Sequence, residues 1–352
     1  MKKTLVFMLA FVMIVGMMLA GCAKAPAQES ASAAPSQAES VAPPSAASEA
    51  PSESASAAPA ESKHIVFIQG VAGDEFYITM GKGIKEACDA AGYTLEILGA
   101  AKWDYTLQTP IVESLVAKAS QIDMVIMAPV HADSMIAPMK KLHDAGVPII
   151  TVDTNINDDS IALCNITSDN HQGGQIAADM LAEMIGNKGD VAVMNTNVGV
   201  TTTEARAKGF KDQIAAKYPD IKIVSDEYCE DEAEKAASII QAAVLKNPNL
   251  AGVFGVNLYS ALGSAQGLDS AGKKIPVFSY DAGPAQIEYL EKGTISATVC
   301  QKPYEIGAKA VEVAQKYFGG ETKFENVMID NVVATTENMK DPDISKWFYK
   351  AE

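Results

Sequence analysis

From Lys63 onward, short apolar runs alternate with longer amphipathic ones: IVFIQ, TLEIL, DMVIMAP and PIITVD are separated by helical patterns, and the rhythm resumes after DVAVMN. Short runs rich in β-branched residues read as strands buried on both faces, and strands that alternate with helices build parallel sheets covered by those helices. The first helix carries Tyr77, Met80, Ile84, Ala87, Cys88 and Ala91 at helical spacing, with Gly92 placed to stop it. A later helix starts near SDNHQGG. Ser168 or Asp169 can cap it, and either Ile176, Met180 and Met184 or Ala177, Leu181 and Ile185 face inward. About 290 residues follow Ser62, more than one small core needs and suited to two lobes with a cleft between them.

Open α/β sheets bind ligands at the carboxyl ends of their strands. In this chain IVFIQ leads to GVAGDEFY, ITV to Asp153, GVFGV to Asn257, VFSY to Asp281 and SATVC to Gln301. Carboxylates and amides hydrogen-bond hydroxyl groups, while aromatic faces such as Phe76 and Tyr77 stack on the C–H side of a sugar ring. Each residue also has a plainer role. A strand-end Asp caps helices, as Asp281 before AGPAQ can, and Phe76 and Tyr77 open a helix whose other apolar residues are core. Asp153 and Asp281 would also satisfy the acid–base demand of a glycosidase. No catalytic histidine, nucleophile elbow or metal motif accompanies them, so no catalytic residue is assigned.

Other chemistries find little support. Gly173-Gly174 lacks the spacing of a phosphate loop and fits close helix packing instead, and no motif for a cofactor is present. Cys88, Cys164, Cys229 and Cys300 are far apart, and the histidines His64, His131, His143 and His171 form no ligand pair, so a metal site is not expected. The formal charge of −16 at pH 7, without a basic block, argues against nucleic acid.

The amino terminus reads as an export signal over residues 1–21, with MKK preceding an apolar run. Leu19-Ala20-Gly21-Cys22 resembles a bacterial lipobox, which implies acylation of Cys22 and attachment to the extracytoplasmic face of a membrane. Residues 22–62 are nearly all Ala, Ser, Pro and Glu and cannot bury enough apolar surface to fold, so they form a tether.

Seven ordered segments, GDEFY, GVPIITVD, SDNHQGG, EARAKGF, NLYSALG, VFSYDAGP and ATVCQKPYEIG, resemble the ribose-binding-protein-like type I periplasmic binding proteins, the solute receptors of sugar ABC importers. The resemblance implies two Rossmann-like lobes joined by three crossings, one from residues 63–167 and 302–328, the other from 168–301 and 329–352. It implies a monomeric receptor that closes on a monosaccharide or polyol and hands it to a membrane permease. Matched positions are Asp74, Phe76, Tyr77 and Asp153 in the first lobe, Ser168 at a crossing, and Arg206, Asn257, Asp281 and Gln301 in the second lobe and hinge. Three positions depart from the family: Thr154 where many members have arginine, Ala128-Pro129 where the ribose receptor has asparagine before proline, and Tyr228, in DEYCEDEAEKA, as the counterpart of the second-lobe aromatic. The departures leave room for another small ligand, such as autoinducer-2 or a nucleoside. A repressor of the same fold would carry a helix-turn-helix where this chain has a signal and tether.

Overall fold

The apolar runs form strands and the amphipathic stretches form helices in the order the sequence rhythm predicts. The computed structural model describes residues 62–350; the signal, Cys22 and the tether up to residue 61 lie outside the described residues. The first series is β1 (His64–Gln69), α1 (Glu75–Ala91), β2 (Thr94–Gly99), α2 (Tyr105–Val116), β3 (Met124–Met127), α3 (Ile136–Asp144), β4 (Ile149–Val152) and β5 (Asn165–Ser168). The second series is α4 (Asn170–Met184), β6 (Gly189–Asn195), α5 (Thr201–Lys217), β7 (Ile221–Tyr228), α6 (Ala233–Lys246), β8 (Leu250–Gly255), α7 (Leu258–Ser270), β9 (Val277–Tyr280), α8 (Pro284–Glu291) and β10 (Ala297–Cys300). The chain ends with α9 (Pro303–Phe318), β11 (Val327–Ile329), β12 (Val332–Thr335) and α10 (Pro342–Ser345).

Two six-stranded sheets result, in the orders β11-β5-β4-β3-β1-β2 and β12-β10-β9-β8-β6-β7. The first is parallel throughout, and in the second only β12 runs antiparallel, against β10. The orders correspond strand for strand, so β4 and β9 occupy equivalent places. The chain passes from one sheet to the other after β5, after β10 and between β11 and β12. Ser168 and Ile329, assigned to the second lobe from sequence, are the last residues of β5 and β11 and belong to the first sheet.

Local signals set the helix ends. Asp74 caps α1 by accepting from the Phe76 N–H, and Gly92 ends it in the left-handed region at φ 72°. Asp169 caps α4, which buries Ala177 and Leu181 and leaves Met184 exposed, so the second of the two candidate stripes is the inner one. The four cysteines beyond the tether are buried and form no disulfide among the described residues, and burial pushes each thiol pKa up to about 11 or 12.

Glycines bring helix pairs into backbone contact, α1 with α9 and α4 with α5 among them. A Cβ on Gly83 of α1 would overlap the Tyr304 carbonyl of α9, and one on Gly307 of α9 would overlap the Met80 carbonyl of α1. The other lobe repeats the exchange: Gly209 of α5 lies against the His171 carbonyl of α4, and Gly174 of α4 against the Arg206 carbonyl of α5. Gly173 is pressed against the Tyr280 ring. The pair in SDNHQGG is thus a packing device, and it fixes the helix that carries Arg206. Alanine favours a helix over glycine by about 1 kcal/mol, yet overpacking costs roughly 1–3 kcal/mol, so Gly209→Ala is expected to destabilise the protein. Chemical denaturation checks this, and a midpoint at or above wild type would contradict the close contact.

Candidate ligand-binding site

A cavity with about 590 Å³ of empty space, part of it open to solvent, lies where the carboxyl ends of both sheets meet. Eight of the residues anticipated from sequence line it: Asp74, Phe76, Tyr77, Asp153, Arg206, Asn257, Asp281 and Gln301.

The first-lobe wall is aromatic. Tyr77 donates its hydroxyl to Asp153 Oδ2 at 2.7 Å, Phe76 stands edge-on to Tyr77, and Trp103 stacks on it at 6.3 Å between centroids. Asp153 Oδ1 accepts nothing from the described residues, which leaves it open to a ligand donor. The Trp103 Nε1 donor is buried and likewise has no partner among them.

Across the cleft, Arg206 is 2% exposed. Its Nε donates to Asn170 Oδ1 at 2.8 Å and its Nη1 to the Val256 carbonyl at 3.0 Å, while the guanidinium lies 3.8 Å over the Tyr280 ring. Burial works to lower its pKa, but the charge of Asp281, then Tyr280 and Asp153, outweighs burial and raises it. The Nη2 hydrogens have no acceptor among the described residues. Asp281 Oδ1 accepts from Gln301 Nε2 at 2.5 Å and from the Tyr349 hydroxyl at 3.0 Å, and Oδ2 from the Leu258 N–H at 3.1 Å. Asp281 therefore accepts the first N–H of α7, whose own cap is Asn257, and does not cap the following helix, whose cap is Gly283.

Asp153 and Asp281 both take positive φ, 61° and 82°, a region costly for residues other than glycine. Each N–H donates to a carbonyl of the neighbouring strand, Asp153 to Ile166 and Asp281 to Val299. Each strand end so held turns its carboxylate into the cleft.

Three anticipated residues do not line the cavity. Thr154 is buried with no partner for its hydroxyl among the described residues, and its carbonyl accepts from Asn165. Ser168 acts one step removed, donating to Gln301 Oε1 at 2.7 Å and so orienting the amide that holds Asp281. Tyr228 is 36% exposed at the end of β7. In its neighbourhood the cavity residue is Asp231, which accepts from Asn257 Nδ2 at 2.7 Å. Tyr259, Tyr349 and Trp103 complete the aromatic lining. Asp231 sat inside the quoted DEYCEDEAEKA, but the left-handed turn at Glu230 and Asp231 that aims it has no sequence signature. Trp103 stands in AKWDYTLQ, an aromatic in a polar loop, whereas nothing in local patterning marks Tyr349.

Two lobes of one topology, a polar cavity between them and aromatic walls define a receptor that buries a small polar molecule. A family model described as a periplasmic binding protein domain matches residues 65–322, and the chain belongs to that family, within its type I ribose-binding branch. These are solute-binding transport proteins, not enzymes. The ribose import binding protein RbsB of Salmonella typhimurium is 27% identical over 73% of this chain and 85% of its own length. The D-apiose import binding protein of Actinobacillus succinogenes is 27% identical over 75% of this chain and 86% of its own. An ABC transporter solute binding protein from Agrobacterium vitis, solved with bound α-D-tagatopyranose, superposes with a TM-score of 0.79 at 38% identity, covering 82% of this chain and 99% of that one.

Asp74, Asp153 and Asp231 on the cavity wall are held above the usual value of 3.8. Burial, with repulsion from neighbouring carboxylates, raises Asp74 to about 7, and burial raises Asp153 and Asp231 to about 6. An acid with a raised folded pKa keeps its proton in the folded state after the unfolded chain has released it. Folding therefore loses stability as pH climbs from about 4 through the folded pKa. Relative to wild type, unliganded Asp74→Asn is expected to gain stability as pH rises from about 4 to 7. Paired thermal melts across that window check it, and a pH-independent difference would refute the raised pKa.

Proposed function

We propose that this protein is the extracytoplasmic receptor of a sugar ABC importer, which closes its two lobes on one monosaccharide or polyol and presents it to a membrane permease. The observation that carries the reading is the pairing of unsatisfied groups across one cavity: an acceptor on Asp153 in the first lobe faces the free Arg206 hydrogens in the second. A molecule bearing adjacent hydroxyls both donates and accepts and so satisfies both at once. Four aspartates line the cavity against one arginine, which favours a ligand rich in hydroxyl donors over an anion. The ligands named for the relatives, ribose, apiose and tagatose, are of that kind.

In this reading Asp153 and Arg206 take the ligand directly, and Asp74, Asn257 and Asp231 approach it from the rim. Asp281, Gln301 and Ser168 hold the guanidinium side in place, and the aromatic rings cover the ligand's C–H face. Cys22 carries the lipid, residues 22–62 span the distance to the membrane, and the folded part, with lobes divided near residues 168, 301 and 330, acts as a monomer.

Thermal shift on the domain from residue 63, with pentoses, hexoses, polyols, nucleosides and autoinducer-2, tests the ligand class. A true ligand at 100 times its dissociation constant is expected to stabilise by about 2.7 kcal/mol. Silence from every sugar and polyol would end this reading. With the ligand in hand, Asp153→Asn is expected to stay folded and to bind roughly 10–100-fold more weakly, the cost of replacing charged by neutral hydrogen bonding. Undiminished affinity would remove Asp153 from the site.

A further inference from the structure

Beyond β12 the chain continues through α10 and re-enters the cleft at Tyr349, which is 4% exposed and lines the cavity. Its backbone N–H donates to the Ala282 carbonyl at 2.9 Å and its hydroxyl to Asp281 Oδ1 at 3.0 Å, both beyond the end of β9 in the second sheet. Its ring stands edge-on to Phe76 of α1 with centroids 5.5 Å apart, and the next N–H, of Lys350, donates to Thr79 Oγ1 at 3.1 Å. The terminal segment thus fastens to the second lobe and leans on the first beside the ligand cavity. Upstream, β12 pairs with β10, and the Lys302 ammonium at the β10–α9 crossing lies 4.8 Å over the Trp347 ring.

This segment supplies what Tyr228 does not. An aromatic side chain held by the second lobe packs edge-on against Phe76 at the cavity wall, and it comes from the carboxyl-terminal tail. The Tyr349 hydroxyl hydrogen is committed to Asp281, which leaves the phenol oxygen as an acceptor, since a hydroxyl accepts as well as donates.

We propose that Tyr349 is a ligand-contacting residue that sets specificity: its ring walls one apolar face of the bound molecule and its oxygen accepts a hydrogen bond from one ligand hydroxyl. The inference rests on the sugar or polyol reading of the cavity. It makes the tail a third component of the site, carried with the second lobe and brought against Phe76 when the lobes close.

Calorimetric titration of wild type, Tyr349→Phe and Tyr349→Ala with D-ribose, D-allose, D-tagatose, D-apiose and myo-inositol tests it. For the sugar that wild type binds, Tyr349→Phe is expected to weaken affinity roughly 5–10-fold, the worth of one neutral hydrogen bond, and Tyr349→Ala by a further ten-fold or so as the wall is lost. Singly deoxygenated analogues of that sugar separate contact from mere support. The analogue lacking the partnered hydroxyl is expected to bind wild type and Tyr349→Phe equally, while the others keep the full Phe effect. Unchanged affinity in both variants, or a Phe effect identical for every analogue, would overturn the assignment. A wild type that binds none of these molecules would overturn the sugar reading and this inference together, whereas normal wild-type binding with indifferent variants would overturn this one alone.

Discussion

The cleft depends on keeping one guanidinium charged inside the protein. Burying a lone cation is prohibitive, and the attraction of a partner repays the loss of water only when the remaining donors also find acceptors. Arg206 meets that demand with Asn170 on one side, the Val256 carbonyl at the end of β8, the Tyr280 face beneath it and Asp281 3.8 Å away. Those partners come from α4, β8 and β9, so the charge can be held only by a correctly assembled second lobe. Gly174 and Gly209 make that assembly close enough, because side chains there would push α4 and α5 apart at the turn that carries Arg206. Among the described residues the Nη2 hydrogens find no acceptor.

The two lobes use one backbone device for two chemical ends. Asp153 and Asp281 follow equivalent strands, share the left-handed conformation and anchor their N–H groups in the same way. Their side chains diverge. Asp281 takes donors from Gln301, Tyr349 and Leu258, which uses most of a carboxylate's acceptor capacity, while Asp153 takes one from Tyr77. One acid is therefore locked as part of the scaffold that stabilises Arg206, and its counterpart keeps an oxygen available. Without the structure both read simply as strand-end carboxylates.

That difference shows what the sequence made legible. The βα rhythm, the strand ends and the residues that stand on them were readable because each depends on local pattern and on the general rule for where open sheets bind. The antiparallel edge strand, the place of Ser168 in the first sheet and the choice of inner face for α4 depended on tertiary pairing. Thr154 shows the limit of transfer by position. It follows a cavity acid, but the sharp turn at Asp153 accompanies a Thr154 side chain that is buried off the cavity. Tyr349 was beyond reach for another reason: it meets the site through the path of the tail, and no periodicity in DPDISKWFYK encodes that path.

Closure and chemistry are linked through the rim. Asp74 stands at the start of α1 in the first lobe and Asp231 beyond β7 in the second, and Asp231 contributes to the raised pKa of Asp74. In the proposed closure, an empty cleft brings these carboxylates together away from water, with Arg206 the one cation among the cavity-lining residues. Asp231 has the Asn257 amide as donor and Asp74 has the Phe76 N–H, which satisfies only part of each group. A ligand offering hydroxyl donors fills the rest and lowers the energy of the closed form specifically. Differential stabilisation of one state is the only way a ligand can shift such an equilibrium. In the proposed function, the excess of acids over bases in the cavity disfavours closure without cargo.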